Sequence, residues 1–94
     1  MGAEEALEHG LVNKVVPLEK LDEATETMVQ DITKQSLDII EIGKRQFYEQ
    51  LQMSDFEALN YAVEVISANT KHPDALEGIQ AFFDKRKPEW PSDQ

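Results

Sequence analysis

The sequence predicts an all-α fold of four to five helices with one short extended segment near the N-terminus. Three observations carry that expectation. Apolar residues recur at three- and four-residue spacing from Leu18 to Phe83. Helix-start signals at Ser36, Ser54 and Asp74 divide that stretch into separate helices. Only Leu11 to Val16 has the β-branched density of a strand, and a lone short strand has nothing to pair with, so it is expected to run as an extended connector. The 94 residues read as a single helical module. Residues 1–17 form a lead-in helix and connector, 18–87 four helices, and 88–94 a tail.

The lead-in helix follows Met1-Gly2, which reads as a start or junction. It sets Ala3, Ala6 and Leu7 on one side, with Gly10 just past its end, where a left-handed residue closes a helix. Pro17 stops the extended run. From Leu18 to about Gln35, Leu21, Ala24, Met28 and Ile32 keep helical spacing. Glu19, Asp22, Glu23 and Glu26 cover the other side, as a solvated, dipole-favoured face rather than a metal or acid/base cluster. Ser36 opens a helix to about Gln52, with Leu37, Ile40, Phe47 and Leu51 as its expected buried stripe. Gly43 within it points to close helix–helix contact, and Lys44 and Arg45 are expected on exposed surface.

Ser54-Asp55-Phe56-Glu57 is a capping box for a helix reaching about Thr70. Phe56, Leu59, Val63 and Ile66 share one face, and Tyr61, Ala62 and Val65 widen it beyond a single stripe. An apolar arc that broad has more to bury than so small a chain can cover, which marks Phe56, Leu59, Val63 and Ile66 as a candidate subunit or domain interface.

In the last helix, Asp74 with Glu77 three residues on reads as an N-cap and its reciprocal partner, and Pro88 as the stop. Ala75, Leu76, Ile79 and Phe83 form an expected core stripe. Gly78, Ala81, Phe82 and Lys85 fall beside it at i, i+3, i+4 and i+7. That second stripe offers two small residues, a ring and a cation, a surface that a flat anionic ligand could approach. An interior glycine costs about 1 kcal/mol relative to alanine, so Gly78 calls for a reason such as close approach by a partner or ligand. In the competing reading Phe82 is plain core and Lys85-Arg86-Lys87 a solvated helix end.

Composition removes several function classes. A formal charge of −10 leaves no basic face for nucleic acid. The absence of cysteine excludes disulfides and thiolate chemistry. His9 and His72 lack a second ligand at helical spacing, so no metal site is expected. No phosphate loop, nucleophile elbow or Ser/His/Asp set can be assembled, and no apolar run reaches membrane-span length.

The stretch Glu77-Gly78-Ile79-Gln80-Ala81-Phe82, running into Lys85-Arg86, resembles the C-terminal signature of the enoyl-CoA hydratase/isomerase (crotonase) superfamily. The segment from Ala3 to Pro17, with Ala6, Gly10-Leu11-Val12 and Val15-Val16-Pro17, is similar to the passage by which that family leaves its α/β core. The resemblance implies that this chain corresponds to the C-terminal helical, oligomerisation part of a crotonase fold. The parent would be a lyase or isomerase of fatty acyl-CoA metabolism, acting on a coenzyme A thioester and needing no further cofactor. Phe82 would lie against the adenine nucleotide of coenzyme A and Lys85 beside its phosphate. The partners implied are acyl-CoA and either further copies of the chain or the missing catalytic core. The family's catalytic glutamates and oxyanion-hole amides lie upstream of the matched region, so no catalytic residue is assigned and the chain alone is expected to be inactive. A cytoplasmic location is implied, or the mitochondrial matrix in a eukaryote. The alternative is a stand-alone helical protein-interaction module without a ligand. An independent acyl-CoA carrier is disfavoured, because the tyrosine- and lysine-rich patterns of such carriers are missing.

Overall fold

Serines at two helix starts and left-handed residues at two helix ends set most of the boundaries in this chain. The computed structural model describes residues 1–94. It contains five α-helices: α1 (Ala3–Glu8), α2 (Leu21–Thr33), α3 (Leu37–Gln50), α4 (Asp55–Asn69) and α5 (Pro73–Asp84). Two 3-10 turns, Leu18–Lys20 and Pro91–Asp93, complete the regular structure, and no strand is present. Contacts group the chain into two units, Met1–Lys34 and Gln35–Gln94. No helix is long and apolar enough to cross a membrane.

In the first unit, α1 ends as expected. Gly10 takes φ 70, its N–H bonds Leu7 O at 3.0 Å, and Leu11 N–H bonds Ala6 O at 2.9 Å. That pair of bonds satisfies carbonyls which a helix end otherwise leaves open. Residues 11–17 run as a connector without a ladder partner. Helix α2 starts three residues later than its periodicity suggests, because Lys20 N–H bonds Pro17 O at 2.9 Å and tightens the entry into a 3-10 turn. Leu21, Ala24, Met28 and Ile32 do share a face, and with Leu11, Val12 and Val16 of the connector they line an open groove of about 370 Å³. The acidic side of α2 is exposed, its Glu23 paired only with Lys20 at 2.8 Å.

In the second unit, α3 contacts both α4 and α5, and the tail returns onto α5. Ser36 caps α3 by accepting from Ile39 N–H at 3.2 Å. The Ser54–Glu57 box caps α4 in both directions, at 3.3 and 3.1 Å. The buried stripe expected on α3 is overturned. Leu37, Phe47 and Leu51 are exposed and only Ile40 of that set is half-buried; Ile39, Ile42, Gln46 and Gln50 turn inward instead. The inward side is apolar only in its first half, Ile39 and Ile42, and carries Gln46 and Gln50 beyond, so apolar periodicity points to the other side. Helix α4 packs along that side: Ile42 lines a shallow groove with Val65 and Ala68 at one end of the seam, and Gln50 lines another with Ala58 and Ala62 at the other. The Tyr61 hydroxyl donates to Glu49 across the same pair, which raises the phenol's pKa. Gly43 has nothing within 4 Å of where its β-carbon would stand, so the close contact expected there is not made within the chain.

Candidate functional site

Helix α5 carries the sequence-predicted site, and its first turn departs from the expected capping. His72, not Asp74, is the N-cap: its Nδ1 accepts from Asp74 N–H at 3.1 Å, with Pro73 at the first helical position. A proline there has no N–H to satisfy and its fixed φ suits the helix start, so the boundary moves two residues upstream of the aspartate. Nε2 of the same ring lies 3.4 Å from Asp38 Oδ2.

Released from capping, Asp74 turns inward and is 1% exposed. Its Oδ2 accepts from Ser36 Oγ at 2.5 Å and Ser92 Oγ at 2.5 Å, and its Oδ1 from Ser92 N–H at 3.0 Å. Burial alone would push this carboxyl's pKa up, but the hydrogen bonds from Ser36 and Ser92 together bring it below the ordinary carboxylate value. One carboxylate thus joins the start of α3, the start of α5 and the tail.

Glu77, three residues on, also holds the tail rather than a cap. Arg86 grips it with two parallel bonds, Nη1 to Oε1 at 2.5 Å and Nη2 to Oε2 at 3.0 Å, and Glu89 N–H donates to Oε1 at 2.8 Å. The Arg86 hydrogen bond first, then that of the Glu89 amide, pull the Glu77 pKa down to about 2. Between these anchors Trp90 lies against Gly78, which supplies the close neighbour an interior glycine calls for. Ala81 is 2% exposed and is the one hydrophobic residue fully buried.

The second stripe read from the sequence is therefore divided. Its small residues, Gly78 and Ala81, belong to the packed edge, while Phe82 is 79% exposed. The stripe taken as core is also corrected: Leu76, Ile79 and Phe83 are exposed and Ala75 is half-buried, because the polar anchors at 74 and 77 turn the opposite side of the helix inward. Phe82 and Phe83 meet edge to face, with ring centroids 6.0 Å apart.

The helix ends at Asp84, ahead of the expected stop at Pro88. Lys85 takes the left-handed conformation, φ 53; its N–H bonds Phe82 O at 3.3 Å and Arg86 N–H bonds Ala81 O at 3.0 Å. This is the closing pattern of α1 with lysine where α1 has glycine. Of the three clustered cations, Arg86 is committed to Glu77 and Asp84. Lys85 and Lys87 are exposed, and neither ammonium is hydrogen-bonded or ion-paired. Phe82 and Lys85 thus share the C-terminal end of α5 as an exposed ring and an unpaired cation. Phe56, Leu59, Val63 and Ile66 form a separate exposed apolar stripe on α4. No group of three or more His, Cys, Asp or Glu side chains is placed to hold a metal ion.

Sequence reasoning missed Ser36, Ser92 and Trp90 as partners of α5. An interior glycine and a lone tail tryptophan are the available signals, but nothing in their spacing joins them.

The sequence profile of the enoyl-CoA hydratase/isomerase family matches residues 1–93. Among curated relatives, the rat enoyl-CoA hydratase domain-containing protein 3, mitochondrial, is 39% identical over 90 residues, covering 96% of this chain and 30% of that protein. Among solved structures, an enoyl-CoA hydratase from Mycobacterium smegmatis superimposes with a TM-score of 0.87 at 38% identity, over 96% of this chain and 35% of that one. The human enoyl Coenzyme A hydratase domain-containing protein 3 gives a TM-score of 0.87 at 39% identity, over 96% and 36%. The chain therefore spans about a third of the length of the relatives it matches. On its sequence and on the arrangement of its helices, the chain belongs to the enoyl-CoA hydratase/isomerase family.

Proposed function

We propose that this chain acts as the C-terminal helical part of an acyl-CoA enzyme of the hydratase/isomerase type, contributing subunit contacts and part of the coenzyme A nucleotide site. The observation that carries the reading is the end of α5. Every polar anchor along its packed edge is occupied by the tail, while Phe82 and the Lys85 ammonium are left to solvent. A ring stacks on a purine without regard to sequence, and a lysine meets phosphate as a point charge. In a chain of net charge −10, an unpaired local cation also offsets the repulsion an anionic ligand would otherwise meet.

In this reading the exposed stripe Phe56, Leu59, Val63 and Ile66 is covered by a further copy of the chain or by the catalytic core, and the chemistry is performed by residues that this chain does not contain. The rat relative is named as mitochondrial. A mitochondrial matrix setting is proposed for this chain if its source is eukaryotic, and a cytoplasmic one otherwise. The α4 stripe also supports the second reading, an interaction module without a ligand.

Coenzyme A titrated into the isotope-labelled chain separates the two. The expected result is amide shifts confined to α5 and the residues just after it, lost in both Phe82→Ala and Lys85→Ala. No shifts at millimolar ligand, or shifts indifferent to both variants, overturn the nucleotide contact. Light scattering tests the α4 stripe: Leu59→Asp with Val63→Asp is expected to dissociate a self-associated chain, and a wild-type chain of single-chain mass counts against self-association.

A further inference from the structure

Lys85 is the chain's single non-glycine residue at positive φ. In that conformation an L side chain crowds its own backbone, and such residues persist only where their surroundings over-determine them. The two closing backbone hydrogen bonds do not suffice as the explanation, because α1 makes the same pair and uses Gly10. What α5 has and α1 lacks is a clasp on the residues just beyond the left-handed position. One carboxylate, Glu77, holds both the Arg86 guanidinium, by the two-point bond, and the Glu89 amide, at 2.8 Å. Both partners follow Lys85 within four residues, and the carboxylate they share is built into the helix that precedes it.

We infer that Glu77 is the positioning residue for Lys85: its clasp on Arg86 and Glu89 fixes the chain reversal and so aims the otherwise unpaired ammonium. The conformational half of this inference needs no ligand; the half that concerns coenzyme A rests on the nucleotide reading proposed above. Both Glu77 oxygens are engaged within the chain, Oε1 by two donors and Oε2 by one, and a carboxylate would repel rather than bind an anionic ligand. It acts through Lys85.

The test uses Glu77→Gln and Arg86→Met, which open the same clasp from opposite sides, with helix content checked by circular dichroism. The first readout is ligand-free. The one-bond Cα–Hα coupling at residue 85 is expected to leave its positive-φ value, and exchange of the Glu89 amide is expected to accelerate about tenfold or more. A positive φ and unchanged exchange in the folded variants overturn the inference. Should Glu77→Gln fail to fold, Arg86→Met carries the same two outcomes.

The second readout is coenzyme A affinity in a double-mutant cycle. Lys85→Ala and Glu77→Gln are each expected to weaken binding about tenfold, and the double variant to be no weaker than Lys85→Ala alone. A further loss from Glu77→Gln in the Lys85→Ala background overturns positioning through Lys85. If Lys85→Ala leaves affinity intact, it is the nucleotide reading that fails, and the first readout alone decides the role of Glu77.

Discussion

The indole of Trp90 rests on the backbone of Gly78 so closely that a β-carbon at position 78 would stand 3.3 Å from Cζ3 and 3.5 Å from Cη2. Alanine there gains up to about 1 kcal/mol of helix propensity but requires the ring to retreat by a few tenths of an ångström. Trp90 lies between the held residues Glu89 and Ser92, so the retreat offsets the propensity gain and Gly78→Ala is expected to change stability by less than about 1 kcal/mol. Gly78→Leu leaves no space for the ring and should undock it. Trp90 is the only tryptophan, so its emission reports the event directly. A red shift in Gly78→Leu and none in Gly78→Ala is the expected pattern.

Acid should release the tail. Glu77 falls from an ordinary value of 4.5 to about 2 in the folded chain, and Asp74 lies below its ordinary 3.8. Both carboxyls are therefore more acidic folded than unfolded. The stability they contribute is complete above their unfolded pKa values and is lost as pH falls through the folded ones. Trp90 fluorescence followed from neutral pH to about 2 is expected to show undocking on the acid limb. Glu77→Gln should flatten the part of that limb between 4.5 and about 2. Docking that strengthens with acid would contradict this.

The two serine caps should differ in worth. Ser54 is an exposed cap whose loss to alanine should cost about 1 kcal/mol. Ser36 is 4% exposed; it caps α3 and also donates to Asp74 at 2.5 Å. Ser36→Ala should therefore cost about 2–3 kcal/mol, the cap together with a buried acceptor left short of a donor. Urea denaturation of the two variants side by side checks the ranking.

Lys85→Gly separates stability from binding. Glycine adopts positive φ without steric penalty, so the variant is expected to gain about 0.5–1 kcal/mol. Under the proposed function the same variant loses its response to coenzyme A. A destabilised Lys85→Gly would mean that the lysine stem makes packing contacts the fold depends on.

Much of this architecture was legible in the residues. Gly10 announced the end of α1, and Ser54 with Glu57 announced the start of α4, because each is a local device whose partners lie within a few positions. Failures came wherever the deciding partner was distant. Asp74 looks like a cap from its immediate neighbours; that it instead holds Ser36 and Ser92, 38 and 18 residues away, is a tertiary fact. The stripe through Leu37, Phe47 and Leu51 is helical in period, as expected, yet it faces outward because α4 packs on the other, mixed side of α3. At the candidate site, the residue types of Phe82 and Lys85 could be picked out from the sequence. The left-handed turn that presents Lys85 could not, because it depends on Glu77 meeting Arg86 and Glu89.

The knot of Ser36, Asp74 and Ser92 also couples distant parts of the second unit. Its two closures span 38 and 18 residues, so each pays a loop entropy that the local turns of α3, α4 and α5 do not. Helical turns form within microseconds, while desolvating the aspartate is unfavourable until both hydroxyls have arrived. Seating of the tail is thus tied to the closure between α3 and α5, and the chain's final residues report on whether those two helix starts have met.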